Sequence, residues 1–104
     1  MRYLIMKWHY EYDNEGTWFD HDDGEEQYEL IEGEEHSYPH IDRKRFKILS
    51  VTKEGDSVAA ELWVDYNHVI VKNDGKPAIG HVSYSYCAAG DSVHTSLDLE
   101  FFIK

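Results

Sequence analysis

Seven histidines and one cysteine among twenty-one carboxylates are the residues of this 104-residue chain with the most evident chemistry. His36 and His40 stand four apart, the spacing of two metal ligands on one helix face, but Pro39 between them opposes a regular helix. His68 and His81 form a better pair. A two-residue turn at Asp74-Gly75 would set them opposite each other on adjacent strands, about 5 Å apart and within reach of one zinc ion. A bulged glycine at the same place slips the register by one and separates them, and a third and fourth ligand are needed in any case. One hairpin later, Cys87 falls opposite His94 if Gly90-Asp91 makes the turn. With Asp91 nearby, that outlines a nucleophile, a base and an orienting acid, without identifiable oxyanion donors. The chain has no glycine-rich phosphate loop, nucleophile elbow, HExxH or CxxC. No residues divide the roles of nucleophile, base and stabiliser, so the expectation is a non-enzymatic protein with no cofactor.

The block Asp20-His21-Asp22-Asp23-Gly24-Glu25-Glu26 invites a calcium loop. With Gly24 at the sixth position of an EF-hand, the first, third and fifth positions are Phe19, His21 and Asp23, and the twelfth is Leu30. The pattern fails, leaving a turn with acids on both arms.

These acids belong to a larger asymmetry. Residues 1–42 hold thirteen Asp/Glu against Arg2 and Lys7, which is the whole net charge of −11, and residues 43–104 are neutral. No Lys or Arg occurs from Trp8 to Asp42, yet the stretch is rich in Tyr and Trp, unlike a disordered polyanion. Such charge disfavours nucleic acid and anionic membranes, whose binding rests on Lys and Arg. The one basic cluster, Arg43-Lys44-Arg45 with Lys47, reads as an intramolecular counter-charge. Aromatic anchors among carboxylates suit a basic protein surface, with Asp20, Asp22, Asp23, Glu25, Glu26, Glu29, Glu32 and Trp18 as the docking residues. The alternative is a small-ligand pocket walled by Trp8, Tyr84 and Tyr86. Oligomeric state stays open.

The elements that must position these residues repeat every two positions. Leu4, Met6, Trp8, Tyr10 and Tyr12 alternate with Ile5, Lys7, His9 and Glu11; Val58 to Tyr66 and Val93 to Ile103 behave alike. Gly- and Asx-containing segments at 14–16, 22–24, 54–56, 73–75 and 89–91 read as turns between them. The expected fold is all-β, an antiparallel meander of about eight short strands, closing into a barrel in preference to a two-sheet sandwich. At most one short helical turn is expected, at Pro39–Arg45. The chain reads as one β domain over residues 1–104. With one cysteine, no apolar run of the roughly 20 residues a membrane span needs and no signal-like start, the expected location is the cytoplasm.

Overall fold

The computed structural model describes residues 2–15, 18–88 and 90–104. Eight antiparallel strands make two four-stranded sheets: β1 (Tyr3–Asn14), β2 (Trp18–Glu29), β7 (Ala78–Ala88) and β8 (Asp91–Ile103) in the order β2-β1-β8-β7, and β3 (Glu35–Ser37), β4 (Arg45–Glu54), β5 (Ser57–Val64) and β6 (Asn67–Lys72) in the order β3-β4-β5-β6. The all-β fold of eight antiparallel strands is as the periodicity predicts. The barrel is not: pairing stops between β2 and β3 and between β6 and β7, so the sheet is cut into two at the points where closure requires hydrogen bonds. Nor is there a helix among the described residues; 39–44 is a loop of bends and turns that enters β4 at Arg45. Among the described residues no helix is long and apolar enough to cross a membrane.

Alternation explains the core. On β8, Val93, Thr95, Leu97, Leu99, Phe101 and Ile103 are buried while His94, Asp98 and Glu100 face solvent, because successive side chains leave opposite faces of a strand. Leu4, Met6, Tyr10 and Val82 join them from the same sheet. Phe46, Ile48, Val58, Ala60, Leu62, Val64 and Val71 meet them from the other. Tyr38 and Ile41, from the loop after β3, complete the layer. On β4 the register shifts between Ile48 and Ser50; this irregularity turns Val51, instead of the next residue in strict alternation, toward the core.

Two segments depart from the sequence expectation for identifiable reasons. The alternating run through Tyr66 is not one strand: Asp65 and Tyr66 take φ of 45° and 69° and make a two-residue hairpin turn between Val64 and Asn67, a turn usually given to Asn-Gly. Lys44 Nζ holds the Asp65 carboxylate at 2.9 Å, and the Asn67 side-chain amide donates to the Asp65 carbonyl at 3.1 Å, fixing the bend. Conversely, Asp22-Asp23-Gly24 is not a turn. Gly24 lies mid-strand in β2, opposite Trp8, and the indole occupies the space a Cβ would need. The glycine is a slot for a ring.

The two sheets differ in length. The strands of the long sheet span 11 to 13 residues, against 6 for β6 and 3 for β3. The molecule is accordingly drawn out, 55 × 22 × 18 Å, with a radius of gyration of 15.3 Å where a compact chain of this size has about 13 Å.

The Trp8–Gly24 slot predicts that Gly24→Ala lowers stability by about 1–3 kcal/mol through overpacking, read as a fall in denaturation midpoint. In a Trp8→Leu background the same substitution should cost little, since the clash is gone and glycine's backbone entropy penalty is relieved.

Candidate functional site

β2 is an edge of the long sheet, paired on one side only, with β1. Its free side therefore presents backbone N–H and C=O groups outside the sheet ladder, with the His21 and Asp23 N–H groups donating to the Asp20 and Asp22 carboxylates at 2.9 Å. Directly paired residues share a face, so the register distributes the β2 carboxylates over both. Asp20, Asp22 and Glu26 lie opposite Tyr12, Tyr10 and Met6 on the core-side face, and Asp23, Glu25 and Glu29 lie opposite His9, Lys7 and Tyr3 on the other. All six are exposed. Trp18 and Phe19 begin the strand, 65% and 68% exposed. Of the docking residues expected from sequence, Glu32 alone lies off the strand: it sits beyond β2, where its carboxylate accepts the Val51 N–H at 2.8 Å. Phe19, beside Trp18 at the exposed start of the strand, was not among them.

On the core side of the long sheet, over β1, β8 and β7, lies an open groove of about 430 Å³. Tyr10, Thr95, Tyr84, Tyr86 and Cys87 form its floor and the 40–43 loop its wall. His40 pins the loop. It takes φ of 62°, stacks on Tyr10 (centroids 4.1 Å, 13° between planes), meets Trp8 edge-on at 5.3 Å and bonds Asp22 through Nε2 at 2.9 Å. That bond, with the Asp23 backbone N–H, holds the Asp22 carboxyl below its usual range. Arg43 donates to the Tyr84 hydroxyl at 3.0 Å, its guanidinium 5.7 Å from the ring centroid. Thr95 donates its hydroxyl to the Tyr84 carbonyl at 2.9 Å, and the Tyr84 and Tyr86 rings lie 5.5 Å apart. Burial, with Tyr86 and Asp20 adding to it, raises the Tyr10 phenol above its ordinary value and keeps it neutral. Tyr84 and Tyr86 line the groove, whereas Trp8 lies against His40 and Gly24 and is not among the lining residues. His40, Tyr10, Arg43 and Thr95 were not anticipated as site residues, because the contacts that gather them cross from one sheet to a loop after the other.

The basic cluster does not serve mainly as counter-charge for the acidic half. Lys44 pairs with Asp65 and Arg43 with Tyr84, both in the neutral half. Lys47 faces Glu35 across β3 and β4.

His68 and His81 are not brought together. β6 and β7 belong to different sheets, because Asn73 is spent on the β4–β5 turn, accepting from Val58 N–H and donating to the Asp56 carbonyl, and the chain leaves the short sheet there. His68 bonds Glu61 at 2.6 Å and His81 bonds Asp98 at 2.8 Å. No group of three or more His, Cys, Asp or Glu is placed to hold a metal ion among the described residues. Cys87 lies opposite Ser92, two positions from the register that would face it to His94. His94 instead faces Ser85, whose hydroxyl lies 2.8 Å from Nδ1. That pair is exposed on a flat sheet, where bulk water opposes the preorganisation that activates a nucleophile.

On the solvent face, one row across all four strands of the long sheet reads Asp23, His9, Asp98, His81. His9 Nδ1 bonds Asp23, and Nε2 lies 3.2 Å from Glu11. These hydrogen bonds to Asp23 and then Glu11 raise the imidazole above 6.5. A raised folded-state value stabilises the fold fully below the unfolded value and loses that contribution as pH rises through the folded one. The His9 ring protons, followed by NMR, should therefore titrate above 6.5, and Asp23→Asn should move the midpoint down; no movement would separate the two groups. Compared with protein-family models, with curated proteins and with solved structures, the chain finds no match.

Proposed function

We propose that this chain is a non-enzymatic interaction module that docks a basic partner along β2. One observation carries the reading: β2 is a 12-residue edge strand exposed on both faces, with six carboxylates and no Lys or Arg. An edge offers main-chain hydrogen bonds to an added strand, and alternating side chains then set specificity on each face. Carboxylates on both faces favour a segment with Lys or Arg on both of its own. Trp18 and Phe19 supply apolar contact area at the start of the strand, the kind of ring that dominates interface energy, while the charge steers encounter. The groove's size also favours a second reading, a small-ligand site with Tyr84 and Tyr86 in its wall. The edge reading is preferred because charge, exposure and backbone pairing all converge on β2.

The test is a peptide of alternating Lys and Thr, of β2's length, added to the full chain. Binding should slow hydrogen exchange at alternate β2 amides and weaken at least tenfold from about 50 to about 300 mM salt, as screening shortens the reach of the charges. Replacing Asp20, Asp22 and Glu25 by Asn, Asn and Gln should weaken it as well. Binding that ignores both salt and these substitutions would overturn the reading.

A further inference from the structure

We propose that the groove formed by Tyr10, Tyr84, Tyr86 and the 40–43 loop is the receptor for an arginine side chain of the basic partner, with Arg43 as its resident intramolecular occupant. The inference rests on the reading of a basic partner but concerns a different surface from the β2 edge.

The groove combines the two things that attract a guanidinium. Its floor is aromatic, with the faces of Tyr84 and Tyr86 only half covered, and a ring face attracts a cation. Its rim is acidic. Asp42 lines the wall, and Asp20 and Asp22 stand on β2 opposite Tyr12 and Tyr10, on the face the groove occupies. Against these, Arg43 is the one Lys or Arg among the lining residues. Within the lining Asp42 balances Arg43, and outside it Asp20 and the His40-bonded Asp22 on β2 add negative charge in a chain of net charge −11. A cation enters with the field.

Arg43 shows how the occupant binds. Its guanidinium hydrogen-bonds the Tyr84 hydroxyl and lies within cation–π range of the same ring. Tyr86, 5.5 Å from Tyr84 and tilted 36° to it, offers the neighbouring face. The geometry favours arginine over lysine, because a planar guanidinium lies on a ring while its fork reaches a carboxylate, and an ammonium does only the second. The groove wall is held independently of Arg43, by His40 on Tyr10 and Asp22 and by the buried Ile41. A partner arginine therefore competes with one side chain, without unfolding the loop.

The experiment titrates N-acetyl-arginine amide into the full chain at low ionic strength and follows the Tyr84 and Tyr86 ring signals by NMR. N-acetyl-citrulline amide, the uncharged isostere, serves as control. Arginine amide should shift both rings and citrulline amide neither. Arg43→Ala, which removes the competing occupant, should tighten binding about two- to fivefold, the worth of one exposed cation–ring contact. Tyr86→Leu, at an exposed position that leaves the core intact, should weaken it by a similar factor. Equal response to citrulline, loss of binding in Arg43→Ala or indifference to Tyr86→Leu would each overturn the proposal. The arginine probe is too short to pair with β2. Its failure with the Lys-Thr peptide still bound strikes the groove alone, and the reverse strikes the edge alone.

Discussion

Two sheets of unequal length share one apolar layer, and that mismatch shapes the rest of the molecule. β8 is buried at every second position from Val93 to Ile103, yet Leu97, Leu99, Phe101 and Ile103 belong to the apolar cluster shared with the short sheet while Val93 and Thr95 do not. Burying apolar surface contributes on the order of 25 cal/mol per Å², so the uncovered half needs another cover. The 38–44 loop supplies it. Tyr38 and Ile41 are inserted into the layer, His40 closes over Tyr10, and Lys44 ties the loop to the β5–β6 turn at Asp65. The groove is what this partial cover leaves open.

The same mismatch gives β2 its character. The short sheet has no strand long enough to pack against the far end of the β1–β2 hairpin, so both faces of β2 are solvated there. A strand solvated on both faces has no apolar side to alternate with a polar one. Its sequence is consequently almost uniformly polar, which explains why the periodicity evident in β1, β5 and β8 is missing from Trp18–Glu29.

What the sequence makes legible is therefore what one buried face makes periodic. β1, β5 and β8 follow directly from alternation. β2 emerges only through its partner, and Gly24, read in isolation as turn chemistry, is explained by a ring on the neighbouring strand. The Asp65-Tyr66 bend carries no glycine to announce it; its signal lies in contacts from Lys44 and Asn67. Barrel or sandwich turns on two missing pairings, and the groove on a loop crossing between sheets. The acidic residues from Asp20 to Glu29 lie on one strand, divided between its two faces, because neighbours in sequence stay neighbours whatever the topology. His68 and His81 separate because their pairing depends on which sheet the chain enters after Asn73.

The opposite edge of the long sheet is a study in contrast. From Pro77 to Gly90 there is no Asp, Glu, Lys or Arg, and β7, the edge strand within that span, leaves Ile79 65% exposed. Edges are ordinarily blunted by charge, brevity or cover. Here β3 is short and β2 is guarded by carboxylates, while β7 has neither protection. The net charge of −11, concentrated toward the other side, makes whole molecules repel and so opposes the pairing of two β7 edges. Acidification that protonates the β2 carboxylates weakens that repulsion and lowers the barrier to such edge-to-edge pairing.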